Sequence, residues 1–244
     1  MTAEYLIPLT FAVFLVALLY SSVGHAGASG YIAVMSLFGL APAVIKPTAL
    51  TLNIVVAVIG TWQFWRAGHF SWRLFWPFAL LSVPLAFVGG YINLPTHVFK
   101  ILVGIVLLFS AVYFFVQAPR NDKAQEPSSA IAIPIGAGLG LLSGLTGTGG
   151  GIFLTPLMLF MRWATVKRTA AVSALFILVN SIAGLAGNVS STRNFPAFAL
   201  VLVAAVILGG GVGSYLGSRR FEPVVIKRLL ALVLLIAGCK LILT

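Results

Sequence analysis

Residues 21–30, SSVGHAGASG, interrupt an apolar N-terminal run with three glycines, three serines and a histidine. Glycine weakens a helix interior and allows backbone conformations that other residues avoid. In hydrocarbon, each unpaired backbone N–H or C=O group costs several kcal/mol, so non-helical backbone is stable only when protein buries it or it lines a cavity. The segment therefore predicts a helix break inside a membrane protein, away from lipid.

A second glycine-rich segment, SGLTGTGGG at residues 143–151, occupies an equivalent place later in the chain. Shifting the chain by 121 residues aligns Ser22 with Ser143, Gly30 with Gly151, Lys46 with Lys167, Thr48 with Thr169, Ala49 with Ala170, and Gly89-Gly90 with Gly210-Gly211. Breaks at equivalent places in two halves of a membrane chain indicate the substrate site of a transporter.

The composition is that of an integral membrane protein. Of 244 residues, 60% are hydrophobic and only 8% are charged, the mean hydropathy is +1.10, and soluble domains have about 25% charged residues. The first apolar run lacks a basic start, with Glu4 as its only early charge, so we expect it to remain as a membrane helix. The single cysteine, Cys239, excludes an intramolecular disulfide and a thiolate metal cluster.

The apolar pattern predicts an all-α membrane protein made of two inverted repeats. Each repeat comprises a broken, re-entrant-like helical hairpin followed by three transmembrane helices. Residues 1–117 form the N-terminal repeat, 118–130 a cytoplasmic linker and 131–244 the C-terminal repeat. The predicted hairpin pieces are 5–21 and 31–40 in the first half and 131–142 and 152–161 in the second; the long helices are 47–65, 72–92, 96–117, 168–187, 196–217 and 223–243.

The distribution of cations predicts the orientation. If each broken pair returns to the side it entered, eleven Lys and Arg residues collect on one side and four, Lys46, Lys100, Arg193 and Lys240, on the other. A continuous crossing would reduce the contrast to nine against six. The positive-inside rule therefore favours hairpins, inverted repeats and both termini outside. The net charge of +11 is expected to face the cytoplasm and anionic lipid, with no role for nucleic acid.

The distribution of ionisable residues favours an anion as the substrate. All four acidic residues lie at predicted helix ends or in loops, so the interior lacks a carboxylate for a metal or a cationic substrate, although backbone carbonyls can still bind Na⁺. The N-terminus of each short helix offers N–H groups and a positive dipole end. We expect no cofactor and no metal.

The candidate substrate-binding residues lie in the two breaks and in the helices that follow them. They are Ser22, Gly24, His25, Gly27, Ala28, Ser29, Gly30 and Asn53 in the first half, and Thr146, Gly147, Thr148, Gly149, Gly150, Gly151 and Asn180 in the second. His25 is predicted to contact the anion or carry a proton; the alternative is a histidine hydrogen-bonded between helices. The hydroxyl residues have the alternative of serving as helix-packing positions. Lys46 and Lys167 are expected to be interfacial anchors; the alternative is that they draw anions toward each mouth of the transporter.

A different class of function is suggested by Gly27-Ala28-Ser29-Gly30, which resembles the G-x-S-G nucleophile motif of rhomboid-type intramembrane proteases. A nucleophilic serine needs a base within hydrogen-bond reach. No later membrane segment carries a histidine, and the second half replaces His25 and Ser29 with Thr146 and Gly150. The sequence therefore favours a protein without enzymatic activity. An anion channel, in which the same breaks form a filter, is the alternative within transport.

The chain resembles the TauE/SafE family of sulfite exporters, also called the TSUP family. The resemblance covers nearly the whole length and is carried by the two glycine-rich segments, by KPTALTLN at residues 46–53 and by VKRTAAVSALF at residues 166–176. It implies transport of sulfite or small organosulfonates, often outward, in the inner membrane of a prokaryote.

From these observations we expect a secondary transporter that exports a sulfur-containing anion by alternating access at a site between the two breaks. The expected partners are a small anion of the sulfite, sulfonate or thiosulfate class and membrane lipid, and a homo-oligomer is allowed.

Overall fold

The computed structural model describes residues 3–22, 25–116, 125–193, 196–217 and 223–243. In these residues the chain forms ten α-helices and no strand, which confirms the predicted all-α class and the predicted order of helical pieces. The helices are α1 (Ala3–Ser22), α2 (Ala28–Leu37), α3 (Pro42–Arg66), α4 (Trp72–Tyr91), α5 (Thr96–Val116), α6 (Ser129–Thr146), α7 (Gly151–Phe160), α8 (Val166–Thr192), α9 (Ala199–Gly217) and α10 (Pro223–Leu243).

Helix length separates membrane-spanning helices from short ones. Five described helices are long and apolar enough to cross a membrane, namely α3, α4, α5, α6 and α8. In contrast, α2 and α7 have ten residues each, about 15 Å at 1.5 Å per residue, which is half the thickness of a bilayer core. The chain is thus a multi-pass membrane protein with two helices too short to span alone.

Close glycine contacts join α6 to α4. A Cβ placed on Gly136 would lie against the carbonyl oxygen of Phe78, and one on Gly140 against that of Ser82. Residue numbers rise together along the two helices, so α6 and α4 run in the same direction. The absence of side chains at these glycines lets the backbones approach, as is common between membrane helices.

Similar close glycine contacts join α9 to α1. Gly209 faces the carbonyl oxygen of Phe14 and Gly213 faces that of Leu18, so α9 and α1 also run in the same direction. The first helix of each half is therefore packed on the fourth helix of the other half. Helices α5 and α10 pack on each other, as do α3 and α8, so each of these four helix pairs joins the two halves.

Contacts at the helix ends show which ends lie side by side. The backbone N–H of Gln125, just before α6, donates to the carbonyl oxygen of Arg162, just after α7, at 2.9 Å. At the end of α2, the carbonyl oxygen of Leu37 accepts a hydrogen bond from Lys240 at 3.0 Å. At the far end of α4, Asn93 donates to Ser191 at 2.6 Å, which brings the end of α8 beside the end of α4.

Candidate functional site

The first break lies between α1 and α2. Gly27 precedes α2 with a φ of 96°, in the left-handed region that glycine enters at low cost. Ala28, Ser29 and Gly30 form the first turn of α2 and are buried. His25 is half-buried, and its backbone N–H donates to the carbonyl oxygen of Tyr20 at 3.0 Å. Ser22 is the last residue of α1, and Gly24 lies outside the described residues.

Two tyrosines enclose the first break. The Tyr20 hydroxyl lies 2.8 Å from the Ser29 hydroxyl in a buried hydrogen bond. The Tyr31 hydroxyl lies over Gly27, because a Cβ on that glycine would be 3.0 Å from the Tyr31 oxygen. This hydroxyl is buried and has no hydrogen-bond partner among the described residues. Sequence analysis missed Tyr31, since an aromatic residue in an apolar helix is ordinarily a packing residue.

The second break separates α6 from α7. Gly147, Gly149 and Gly150 all have positive φ, at 80°, 72° and 78°. Gly150 immediately precedes α7 without any side-chain cap. Among the described residues, the N–H groups of Gly151 and Ile152 donate no backbone hydrogen bond outside the helices. These N–H groups belong to the first turn of a helix, which has no intrahelical partner for them, and they carry the positive end of its dipole.

Side chains from the first half reach this second break. The Asn53 side-chain amide donates from Nδ2 to the carbonyl oxygen of Thr148 at 3.2 Å, and Asn53 is fully buried. The Thr148 hydroxyl is 2.9 Å from the Thr146 hydroxyl. Thr146 is the last residue of α6 and is therefore helical, whereas the sequence predicts that this helical piece ends at residue 142. The structure thus brings Asn53, Thr146 and Thr148 together.

Ser181 of α8 completes this group and was missed by sequence analysis. A Cβ on Gly149 would lie 2.7 Å from Ser181 Oγ and 2.7 Å from Asn53 Nδ2. Both side chains therefore cover the same face of Gly149, one from each half of the chain. Ser181 is fully buried and its hydroxyl has no hydrogen-bond partner among the described residues. Its position, one residue after Asn180, is the only sequence signal that pointed to it.

Asn180 has a different set of contacts. Its Oδ1 accepts a hydrogen bond from the Ser82 hydroxyl at 2.7 Å, and its Nδ2 donates to the carbonyl oxygen of Phe176 at 2.9 Å. Both ends of the amide are occupied by α4 and by its own helix. The structure therefore places Asn180 at a helix contact, while a role in substrate binding stays a prediction.

Lys46 is buried, and its expected role as an interfacial anchor is wrong. Only 4% of the residue is exposed. Its ammonium donates to the carbonyl oxygens of Gly89, Gly90 and Ile92 at 2.9 to 3.0 Å. These carbonyls close α4, and a cation at a helix C-terminus is favourable. Lys167 is exposed.

The carboxylate of Glu126 is paired with two arginines. Glu126 is 3.6 Å from Arg73 and 3.4 Å from Arg168. Arg73 lies at the start of α4, and Arg168 lies at the start of α8, more than three helical turns before Ser181. No group of three metal-ligating side chains occurs in the described parts of the chain.

Comparison with known proteins agrees with this architecture. The family model for the sulfite exporter TauE/SafE matches residues 9–241. A probable membrane transporter protein of Sinorhizobium fredii, y4hK, is 42% identical over 97% of this chain and 98% of its own length. The probable membrane transporter protein YjnA of Bacillus subtilis is 26% identical over 90% of this chain and 92% of its own. No solved structure gives a significant match.

The family match spans nearly all of the described helices, from α1 to α10, and includes both breaks together with Asn53 and Ser181. Both relatives match over more than nine-tenths of their own length. With its helical membrane fold, the chain therefore belongs to the sulfite exporter TauE/SafE family of membrane transporters.

Proposed function

We propose that this membrane transporter exports a small sulfur-containing anion, such as sulfite or an organosulfonate, by alternating access at a site lined by the two glycine-rich breaks. One observation carries the proposal. Asn53 of α3 and Ser181 of α8, both fully buried, cover Gly149, which lies two residues before α7, a helix whose first turn has no intrahelical partners for its N–H groups. Helix N-termini of this kind bind anions in soluble proteins and transporters alike.

The charges around the second break support an anion over a cation. Thr148, Asn53 and Ser181 are neutral polar residues, and the described carboxylate of Glu126 is engaged by arginines at the end of the bundle. A cation beside the start of α7 would meet the positive end of the helix dipole without a carboxylate to offset it. An anion would gain from the same field.

The helix directions support the inverted repeats that we propose. Helix α6 runs with α4, and α1 runs with α9. Helix α9 follows the end of α8, which the Asn93–Ser191 hydrogen bond places beside the end of α4. These contacts put the start of α1 on the side of the bundle where α4 ends. The start of α6 is on the opposite side, where α4 starts. Repeats of opposite direction are the usual basis of alternating access.

Burial of the polar group favours a carrier over a channel. Asn53 and Ser181 have no exposed surface, and Thr148 has 2%. An ion can reach these groups only after helices move, which is the behaviour of a carrier. Outward movement of an anion is favoured by about 2.3 kcal/mol per charge for each 100 mV of interior-negative potential. We further propose the prokaryotic inner membrane as the location, with both termini outside.

The proposal is tested by flux into proteoliposomes that contain the purified full chain. Radiolabelled sulfite, thiosulfate, sulfoacetate and taurine are offered in turn, with His25→Ala as the site variant and His69→Ala, a loop histidine, as its matched control. We expect saturable uptake with counterflow that His25→Ala changes and His69→Ala does not. Ohmic single-channel current would contradict a carrier, and lack of flux for every sulfur anion would remove the substrate class.

A further inference from the structure

The orientation of the Asn53 amide is fixed by its partner. The Thr148 carbonyl oxygen can only accept a hydrogen bond, so the atom that faces it at 3.2 Å must be Nδ2. Asn53 Oδ1 is then fixed as an acceptor on the same amide. It is buried and has no hydrogen-bond partner among the described residues. Unpaired buried acceptors are uncommon in folded proteins, and each one calls for a missing donor.

Ser181 provides the second unpaired group at the same place. Its hydroxyl and the Asn53 amide cover one face of Gly149, and neither residue is exposed. The Ser181 hydroxyl can donate a hydrogen bond. The first turn of α7, which begins two residues after Gly149, offers the N–H groups of Gly151 and Ile152 as further donors. The group therefore combines several donors with one acceptor that is fixed in place.

A ligand that satisfies this group needs two properties. It must present anionic oxygens to the donors, and it must present a hydrogen to Asn53 Oδ1. An anion without a donor hydrogen would leave Oδ1 unpaired and would place negative charge beside an oxygen lone pair. A sodium ion would satisfy Oδ1, but it would also approach the positive end of the α7 dipole.

We infer that the transported sulfur anion carries a donor hydrogen, which Asn53 Oδ1 accepts while Ser181 Oγ donates to one of its anionic oxygens. This inference rests on the proposed function and names the substrate class of the same site. Hydrogensulfite and sulfonates with a hydroxyl or ammonium group meet the requirement. Sulfate, fully deprotonated sulfite and plain alkanesulfonates do not.

The test compares competitors that differ by one donor group. Proteoliposomes with the full chain take up radiolabelled sulfite, or radiolabelled taurine if sulfite does not move, against unlabelled ethanesulfonate, 2-hydroxyethanesulfonate or taurine. We expect the two donor-bearing sulfonates to compete at least about tenfold better than ethanesulfonate, since a site built to bond a substrate hydrogen rejects an analogue that lacks it. Equal competition by all three would overturn the inference, even though flux itself upheld the proposed function.

Two variants assign the effect to the named atoms. Asn53→Leu removes the acceptor, so the competitor preference should fall to within about twofold. Ser181→Ala removes a donor and should raise the concentration for half-maximal flux about tenfold for every sulfonate. Ser110→Ala is the matched control, because Ser110 is a buried serine bonded to its own helix at Val106; it should change neither quantity. If Asn53→Leu does not fold, the wild-type preference and Ser181→Ala still decide.

Three further results would contradict the inference. The first is an unchanged competitor preference in folded Asn53→Leu. The second is flux that requires sodium and loses this requirement in Asn53→Leu, which would assign Oδ1 to the cation. The third is absence of flux for every sulfur anion, which would remove the proposed function together with the inference.

Discussion

The ammonium of Lys46 in α3 lies 2.9 Å from the carbonyl oxygen of Gly90 at the end of α4. The same ammonium bonds Gly89 and Ile92, so all three of its hydrogens reach carbonyl oxygens. Gly147, where α6 ends, packs on the Lys46 backbone and stem, because a Cβ there would be 3.2 Å from the Lys46 carbonyl oxygen. One buried lysine thus connects the end of α4 with the second break.

We predict that Lys46→Met destabilises the protein, because three carbonyls lose a charged donor. Hydrogen bonds to charged groups contribute about 1.5 to 3 kcal/mol each, part of which is offset by the cost of burying the ammonium, so we expect a net loss of about 2 kcal/mol. The measurement is the unfolding midpoint of the purified protein in detergent. Lys167→Met, at an exposed lysine, should leave the midpoint unchanged; an equal shift in both variants would contradict the prediction.

We predict that Gly149→Ala abolishes transport. The added Cβ would lie 2.7 Å from both Asn53 Nδ2 and Ser181 Oγ, at a φ of 72°. Gly39→Ala is the matched control, since Gly39 has a φ of 75° but no atom within 4 Å of its added Cβ. Both variants carry similar backbone strain, and only the first displaces the polar group. Flux in proteoliposomes should fall at least tenfold in Gly149→Ala and stay near wild type in Gly39→Ala.

Hydropathy and the positions of the glycine-rich segments were sufficient to predict all ten helices in order, since a membrane helix needs a long apolar run and a break needs glycine. Helix ends were less predictable. Helix α3 begins at Pro42, not at residue 47, so Pro47 lies inside it. Proline at the first turn of a helix and proline one turn later leave similar sequence patterns, because only contacts made by the preceding residues decide whether the turn forms.

The side chains of the candidate site were harder to predict. Burial of Lys46 depends on carbonyls that lie more than forty residues away in sequence, which no local pattern reports. Only the structure identifies Ser181 and Tyr31, whose hydroxyls lie over Gly149 and Gly27 without hydrogen-bond partners in the part of the chain that the structure describes. Asn53 and Asn180 look alike in sequence, yet only Asn53 reaches a break, because α4 supplies Ser82 to bind Asn180.

We predict that Gly140→Ala disrupts the close packing between α6 and α4. Its Cβ would overlap the carbonyl oxygen of Ser82, so the two helices would have to separate. The expected cost is about 1 to 3 kcal/mol, typical of overpacking, measured as the unfolding midpoint in detergent. Gly138→Ala on the same helix meets nothing within 4 Å and should be neutral or slightly stabilising, because alanine favours a helix. A neutral Gly140→Ala would show that α6 and α4 do not pack this closely.

We predict that Ser29 does not react with fluorophosphonate probes of serine hydrolases. Its hydroxyl is buried and hydrogen-bonded to Tyr20 at 2.8 Å, and a neutral phenol is a poor base for activating serine. Mass spectrometry of probe-treated protein in detergent is the measurement. Labelling of the wild type that disappears in Ser29→Ala would instead identify a nucleophile and favour the protease alternative.

We predict that the loop between α3 and α4 faces the cytoplasm and the loop between α4 and α5 faces outside. The first loop lies between Arg66 and Arg73, whereas the second contains no basic residue, and cations accumulate on the cytoplasmic side. In a Cys239→Ser background, His69→Cys and Asn93→Cys report the two loops. A membrane-impermeant maleimide applied to intact spheroplasts should label Asn93→Cys alone and should label both after permeabilisation. Labelling of only His69→Cys before permeabilisation would reverse the orientation and remove the basis for placing both termini outside.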